Sequence, residues 1–320
     1  MTAVATTTQH DSRPASQPGR RRRARRFSTT DKVVLALMVG IPSLVLLGFV
    51  VVPTIASIVL SFTNWDGIGL DTIHFIGFQN YVQIFTNYPA FWPAVEHNLV
   101  WLIFFVLVPT PFGILLAYLL DKNIRFSKFY QTAIFLPMVI SLAVVGFIWE
   151  IVYNPDTGLL NDILGTNKQG NYIDWLGNPH LNLWAALVAA SWRHVAYIMI
   201  LYLAGLKGFD YSLKEAAMID GANEWQSFTR VVFPALKPIN IIVLVITTIE
   251  SLRAFDVVYV LGGNNGTKPG MELLSLLITN NILGESSRIG YGSALSVVLL
   301  VVSLAGIITF LVQSFRKEAQ

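Results

Sequence analysis

Between residues 289 and 315 the chain runs for 27 positions without a charged side chain, and between 33 and 65 it does so for 33. A helix crossing the roughly 30 Å hydrocarbon core of a bilayer needs about 20 mostly apolar residues. Two further uncharged runs, 98–120 and 129–149, are 23 and 21 residues long. Two more apolar stretches carry charge inside them: 181–206 holds Arg193 and His194, and 239–261 holds Glu250, Arg253 and Asp256. Only 13% of the residues are charged, where a soluble domain has roughly 25%, so too little polar surface exists to cover a water-soluble body. The chain reads as an all-α membrane protein with six transmembrane helices at about 34–60, 98–120, 129–149, 181–206, 239–261 and 289–315. A basic tail, residues 1–30, precedes the membrane domain over 31–320 and is too polar to form a core.

The placement of Lys and Arg sets a direction, because cytoplasmic loops accumulate them. Seven arginines precede the first span and Lys32 stands beside it, whereas the next connection, 63–97, has no Lys or Arg. Lys122, Arg125 and Lys128 crowd one short loop, and Lys207, Lys214, Arg230 and Lys237 another. With both termini inside, 17 of 22 basic residues are cytoplasmic, and the opposite orientation inverts that ratio. The arginine run could also serve as a nucleic-acid patch or a signal n-region. The apolar stretch after it exceeds the ~7–15 residues of a signal h-region, and no aromatic or glycine residues interleave it, so anionic membrane lipid is the expected partner and nucleic acid is not.

Outside the first span, Phe75, Phe78, Tyr81 and Phe85 recur at steps of three and four, which predicts one face of a short helix. It could lie along the outer interface or cap the external mouth. Prolines 42, 53, 109, 111 and 137 fall within spans and predict kinks. The chain has no cysteine, which excludes disulfides, thiol catalysis and Cys-ligated metal. His180 and His194 have no partner at ligand spacing, so no metal site is expected.

About thirty residues, 207–238, separate the fourth and fifth spans, far more than a turn requires. The Ser-x-x-Glu pattern of Ser212 and Glu215 predicts a capping box and a helix starting at Ser212. Gly221 is placed to end that helix in a left-handed conformation. A second short helix is expected over 223–232, before Pro234 and Pro238.

The loop reads Glu215-Ala216-Ala217-Met-Ile-Asp220-Gly221-Ala222, with Phe228, Pro234 and Pro238 following. It resembles the E-A-A-x-x-x-G loop of ABC importer permeases, in the form of the carbohydrate branch. The resemblance extends over residues 33–316 and includes Phe135-Leu-Pro137 and Asp256-Val-Val-Tyr-Val-Leu-Gly-Gly263. It implies the type I importer permease fold in a bacterial cytoplasmic membrane. It also implies a coupling helix in which Glu215, Ala216, Ala217, Asp220, Gly221 and Ala222 meet a cytoplasmic ATPase. The implied partners are a second permease subunit, expected to be a different chain, two ATP-binding subunits and an extracytoplasmic sugar-binding protein. No Gly-x-x-x-x-Gly-Lys-Ser/Thr phosphate loop occurs in the sequence. ATP and Mg are therefore expected on the partner, with no cofactor on this chain and no enzymatic activity of its own.

Charges inside spans are costly and point to function. Arg193 and Glu250 each lie about 12 residues into their spans, roughly 16–18 Å deep at 1.5 Å per residue. Glu250, Arg253 and Ala254 fall on one helical face by the i, i+3, i+4 rule, and Tyr197 is one turn beyond Arg193. The resemblance places Tyr197, Thr247, Glu250, Ser251 and Ala254 where a maltose-type permease contacts its sugar, although Glu250 and Ala254 replace other residue types there. With Arg193, His194 and Arg253 these are the candidate substrate-binding residues. The competing reading is that Arg193, Glu250 and Arg253 merely neutralise one another. The functional reading is a sugar permease working by alternating access; the alternative is a secondary transporter or channel using the charged midplane without an ATPase.

Overall fold

A computed structural model describes residues 28–122, 124–166, 172–263, 268–284 and 287–316. Most of the expected 1–30 tail lies outside the described residues. Its last residues do not fit the expectation, since helix α1 (Thr29–Leu60) already begins there, where the Ser28 N–H donates to Asp31 Oδ2 at 3.0 Å. The chain divides into two units, Met1–Pro53 and Thr54–Gln320. The first contains Thr29–Leu46 and a π-helical turn, Leu47–Val51, and buries none of their side chains. The turn falls immediately before Val52 and Pro53, the latter lacking the N–H that a regular helix would use. Bare Val, Leu, Ile and Phe side chains along such a helix suit lipid rather than water.

The second unit is helical among the described residues apart from an isolated bridge between Thr63 and Phe75. Its elements include α2 (Gln79–Asn87), α3 (Phe91–Leu107), α4 (Pro109–Asp121), α5 (Ser127–Val139), α6 (Leu142–Val152) and α7 (Leu159–Leu164). There follow α8 (Asn182–Lys207), α9 (Tyr211–Ile219), α10 (Glu224–Ala235), α11 (Lys237–Leu252), α12 (Asp256–Leu261), α13 (Leu274–Leu283) and α14 (Ile289–Arg316). Among the described residues four helical stretches, α1, α3 with α4, α8 and the 289–309 part of α14, are long and apolar enough to cross a membrane, and the number rises to six if two bent pairs each count once.

The first bent pair departs from the straight helix expected at 129–149, and a separate break departs from that expected at 239–261; the second pair, Glu224–Ala235 with Lys237–Leu261, bends by 76° before that stretch begins. Helices α5 and α6 meet at 102°, because Ile140 and Ser141 are extended and Ser141 Oγ caps a new helix by accepting from Val144 N at 3.4 Å. Residues 239–261 are interrupted at Arg253–Phe255, so α11 ends at Leu252 and α12 begins at Asp256. The expected aromatic helix face outside the first span also differs. Phe75 and Phe78 precede α2 and are exposed, while α2 buries Asn80 and Ile84. Asn80 Nδ2 donates to the Ser61 and Thr63 carbonyls at 2.8 Å each, so a backbone-capping amide rather than an aromatic stripe fixes this helix.

Helix α4 makes its most extensive contact with α8. Gly113 permits it, since a Cβ there would stand 2.8 Å from Ile198 Cβ, a small-residue approach common between membrane helices. One buried cluster gathers Trp101, Phe105, Leu187 and Val258, and another Met199, Tyr202, Phe228 and Val232.

Candidate functional site: a charged cavity and a capped inner loop

The interruption at Arg253–Phe255 builds a cavity. Helix ends leave carbonyls without partners, and here they are answered from other elements. Asn98 Nδ2 on α3 lies 3.3 Å from Ser251 O and 3.5 Å from Leu252 O, and its Oδ1 accepts from Leu274 N at 3.0 Å. Ser275 Oγ donates to Ala254 O. Held this way, the break turns Arg253, Ala254, Phe255 and Asp256 into a hollow of about 170 Å³ that Arg193, His194, Tyr197 and Glu250 also line.

Six of the eight substrate residues expected from sequence therefore come together, although not by the expected route. Arg253 and Ala254 do not continue the helical face of Glu250, because the helix stops at Leu252. They reach the cavity because the chain breaks. Thr247 and Ser251 do not line it. Both are fully buried; Ser251 Oγ donates to Thr247 O at 2.7 Å, and Thr247 Oγ1 is 3.2 Å from His194 Nε2. They orient the wall behind the cavity, with Phe105 stacked 4.6 Å from the His194 ring.

The ion pairs among the described residues are His97–Glu272 at 3.4 Å and Lys122–Glu224 at 2.8 Å. Arg193, Arg253 and Glu250 are thus not paired with one another, contrary to the neutralisation reading. Two buried donors on residues that line the cavity, Arg193 Nε and Trp101 Nε1, lack hydrogen-bond partners among the described residues, a costly condition for buried N–H groups. Trp101, Phe105, Phe255 and Asp256 are absent from the sequence-derived site. Trp101 and Phe105 share the i, i+4 spacing that could have flagged a common face, but nothing in the sequence aims that face at Arg193.

In the loop between α8 and α11, α9 starts at Tyr211 and not at Ser212. Asp210 is its N-cap, accepting from Ser212 N at 3.0 Å, so Ser212 cannot form the expected capping box. Hydrogen bonds from the Ser212 hydroxyl and amide hold the Asp210 carboxyl below its ordinary value. At the other end Gly221 has φ +88°. Gly221 N donates to Met218 O at 3.1 Å and Ala222 N to Ala217 O at 3.0 Å, the paired closure of a Schellman motif. Asn223 and Gln226 then cap α10 reciprocally, at 2.8 and 3.0 Å.

This loop is stapled to α4. Lys122 Nζ meets Glu224 Oε1 at 2.8 Å and lies 4.6 Å over the Tyr118 ring, which packs on buried Phe228 at 4.5 Å. The Lys122 ammonium holds the Glu224 carboxyl below its ordinary value, and Glu224 raises Lys122. No residue of α9 is buried; Ala216 and Glu215 are exposed, and Leu213, Met218, Ile219 and Trp225 present 50%, 52%, 87% and 64% of their surface.

Residues 109–318 match the model of the binding-protein-dependent transport system inner membrane component. The chain belongs to this family. That membership makes it a membrane transport component and sets aside the reading as a secondary transporter or channel. The chain is 32% identical over 293 residues to the xylose/arabinose import permease protein XacH of Haloferax volcanii, covering 92% of each. It is 30% identical over 290 residues to the trehalose/maltose transport system permease protein MalF of Thermococcus litoralis, covering 85% of this chain and 95% of that one. A solved bacterial ABC transporter involved in alginate import shares the fold, with a TM-score of 0.75 at 24% identity over 90% of this chain and 96% of that chain.

Proposed function

We propose that this chain is the transmembrane permease subunit of an ATP-driven importer that moves a di- or oligosaccharide into the cytoplasm by alternating access. The family supports the transport role, and the sugars named for the relatives support the cargo class. The observation that carries the sugar reading is the cavity, where unpaired charges and donors stand among aromatic rings. Arg193 and Trp101 donate to sugar hydroxyls, Glu250 and Asp256 accept from them, and Tyr197 or Phe255 lies under the apolar face of the ring. A hollow of about 170 Å³ has room for one six-membered ring, since a cavity of about 150 Å³ admits benzene.

The six-span arrangement with both termini inside follows the basic residues, with the bent pairs α5–α6 and α10–α11 each taken as one span with its approach. It puts the α9–α10 loop in the cytoplasm. There Met218, Ile219 and Leu213 offer an apolar surface to an ATPase, while Ala216 and Ala217 allow close approach and Glu215 and Asp220 meet basic groups. The small, capped helix transmits nucleotide-driven closure through the Lys122–Glu224 staple and Phe228 to α4 and, through its extensive packing, to α8, which lines the cavity. ATP and Mg belong to two partner ATPases; a second permease chain and an extracytoplasmic sugar-binding protein complete the assembly.

Co-purification tests this reading. An associated nucleotide-binding subunit whose ATP hydrolysis rises with sugar-loaded binding protein is expected; a chain that transports sugar alone, with no such subunit, overturns it.

A further inference from the structure

Where the inner ends of α4, α5 and α8 meet the start of α9, a second hollow of about 410 Å³ is lined by Asp121, Ser127, Lys128, Gln131, Lys207 and Tyr211 among others. Neither lysine belongs to an ion pair among the described residues. The carboxylate of Asp121 is engaged, accepting from the Tyr211 phenol at 2.5 Å. Ser127 Oγ accepts one Gln131 amide hydrogen at 3.0 Å, which leaves the other free to donate. Two ammonium groups against one carboxylate give the hollow a net charge of +1.

The start of α5, which gives Ser127, Lys128 and Gln131 to the hollow, also carries exposed aromatic rings. Phe126, Phe129 and Tyr130, beside Lys128 in the chain, expose 65%, 68% and 45% of their surface. Tyrosine gathers at the membrane–water interface, and exposed phenylalanine suits the hydrocarbon beside it. A free inorganic anion would satisfy the lysines but leave these neighbouring rings bare; a ligand carrying a single negative charge next to hydrocarbon satisfies both. A phosphodiester has that charge, whereas a phosphomonoester carries close to two at neutral pH.

We propose that this hollow binds the phosphodiester headgroup of an anionic phospholipid, with Lys128 and Lys207 on the phosphate and the acyl chains along Phe126 and Phe129. The assignment to the cytoplasmic leaflet rests on the topology proposed above; the binding does not. Because Tyr211 is the first residue of α9, a bound headgroup touches the helix proposed to meet the ATPase.

Native mass spectrometry of the full chain in neutral detergent, titrated with phosphatidylglycerol or phosphatidylcholine, tests the site. The wild type is expected to hold phosphatidylglycerol about tenfold or more tightly than phosphatidylcholine, and K128Q/K207Q to lose that preference. Both lysines are exposed, so the variant keeps its fold, and the arginine-rich tail is common to both proteins. An unchanged preference in the double variant overturns the site. Displacement of phosphatidylglycerol by millimolar inorganic phosphate overturns the lipid assignment in favour of a free anion.

Discussion

At the cavity the chain breaks a helix, leaves polar donors such as Trp101 Nε1 and Arg193 Nε without partners, and walls them with rings. At the loop between α8 and α11 the backbone is closed at every step, by Asp210, by the turn at Gly221 and by the Asn223–Gln226 box, while the apolar side chains stay bare. The two regions leave opposite kinds of group unsatisfied. Idle polar groups in a hollow suit a small hydroxylated solute, because each gains a hydrogen bond on binding. Idle apolar groups on a capped, short helix suit a protein surface, because burial of area is the gain. On the proposed function, binding and coupling are separated by the chemistry each region withholds from the fold.

Replacing Gly221 strikes the loop at its least tolerant point. Nothing lies within 4 Å of a Cβ there, so G221L acts through the left-handed backbone alone, at roughly 1–2 kcal/mol. ATP-driven uptake is expected to be abolished, with membrane levels of the chain retained on a blot; undiminished uptake would break the contrast at the loop. At the cavity, E250Q is expected to raise the half-saturating sugar concentration for uptake about tenfold, the low end for a charged hydrogen bond, and Y197A to act in the same direction. Unchanged affinity in both would remove the sugar site.

A milder change sharpens the cavity half. Trp101→Phe keeps the ring and removes the unpartnered donor, so sugar affinity should weaken by roughly two- to tenfold, as for one neutral hydrogen bond. Uptake titrations read this, and tighter binding would mean that Trp101 is only packing.

The smallest effect concerns the staple. Glu224 has a depressed pKa, so its contribution is full above the unfolded carboxylate value and fades as pH falls through the folded one. Lys122, with a raised pKa, contributes below its unfolded value and fades as pH rises through the folded one. The pair is therefore intact near neutral pH and weakens in acid. Lys122→Met should speed amide exchange in α10 near neutral pH, and the difference from wild type should shrink on acidification.

The loop was largely legible in the sequence because its structure is local. Gly221 and Asn223 act on neighbours within a few positions, and only the start of α9 shifted, since Asp210 out-competed Ser212 for the cap. The cavity was legible in part. Arg193, His194, Tyr197 and Glu250 announce themselves as charge and polarity within apolar runs, whereas Thr247 and Ser251 share that polarity yet face the packing behind the wall. Trp101 and Asn98 look like any residue of an apolar helix, because their roles depend on what stands opposite.

The sequence by itself determined that this chain is a multi-helix membrane protein of the importer-permease family with a capped loop between α8 and α11, since run length, charge placement and short-range capping are properties of the chain alone. The tertiary structure alone decided that α5 and α6 turn through 102° and that α11 stops at Leu252, where Asn98 and Ser275 supply the partners its backbone gives up. Satisfying a broken helix takes donors from residues more than twenty positions away, and only folding brings those together.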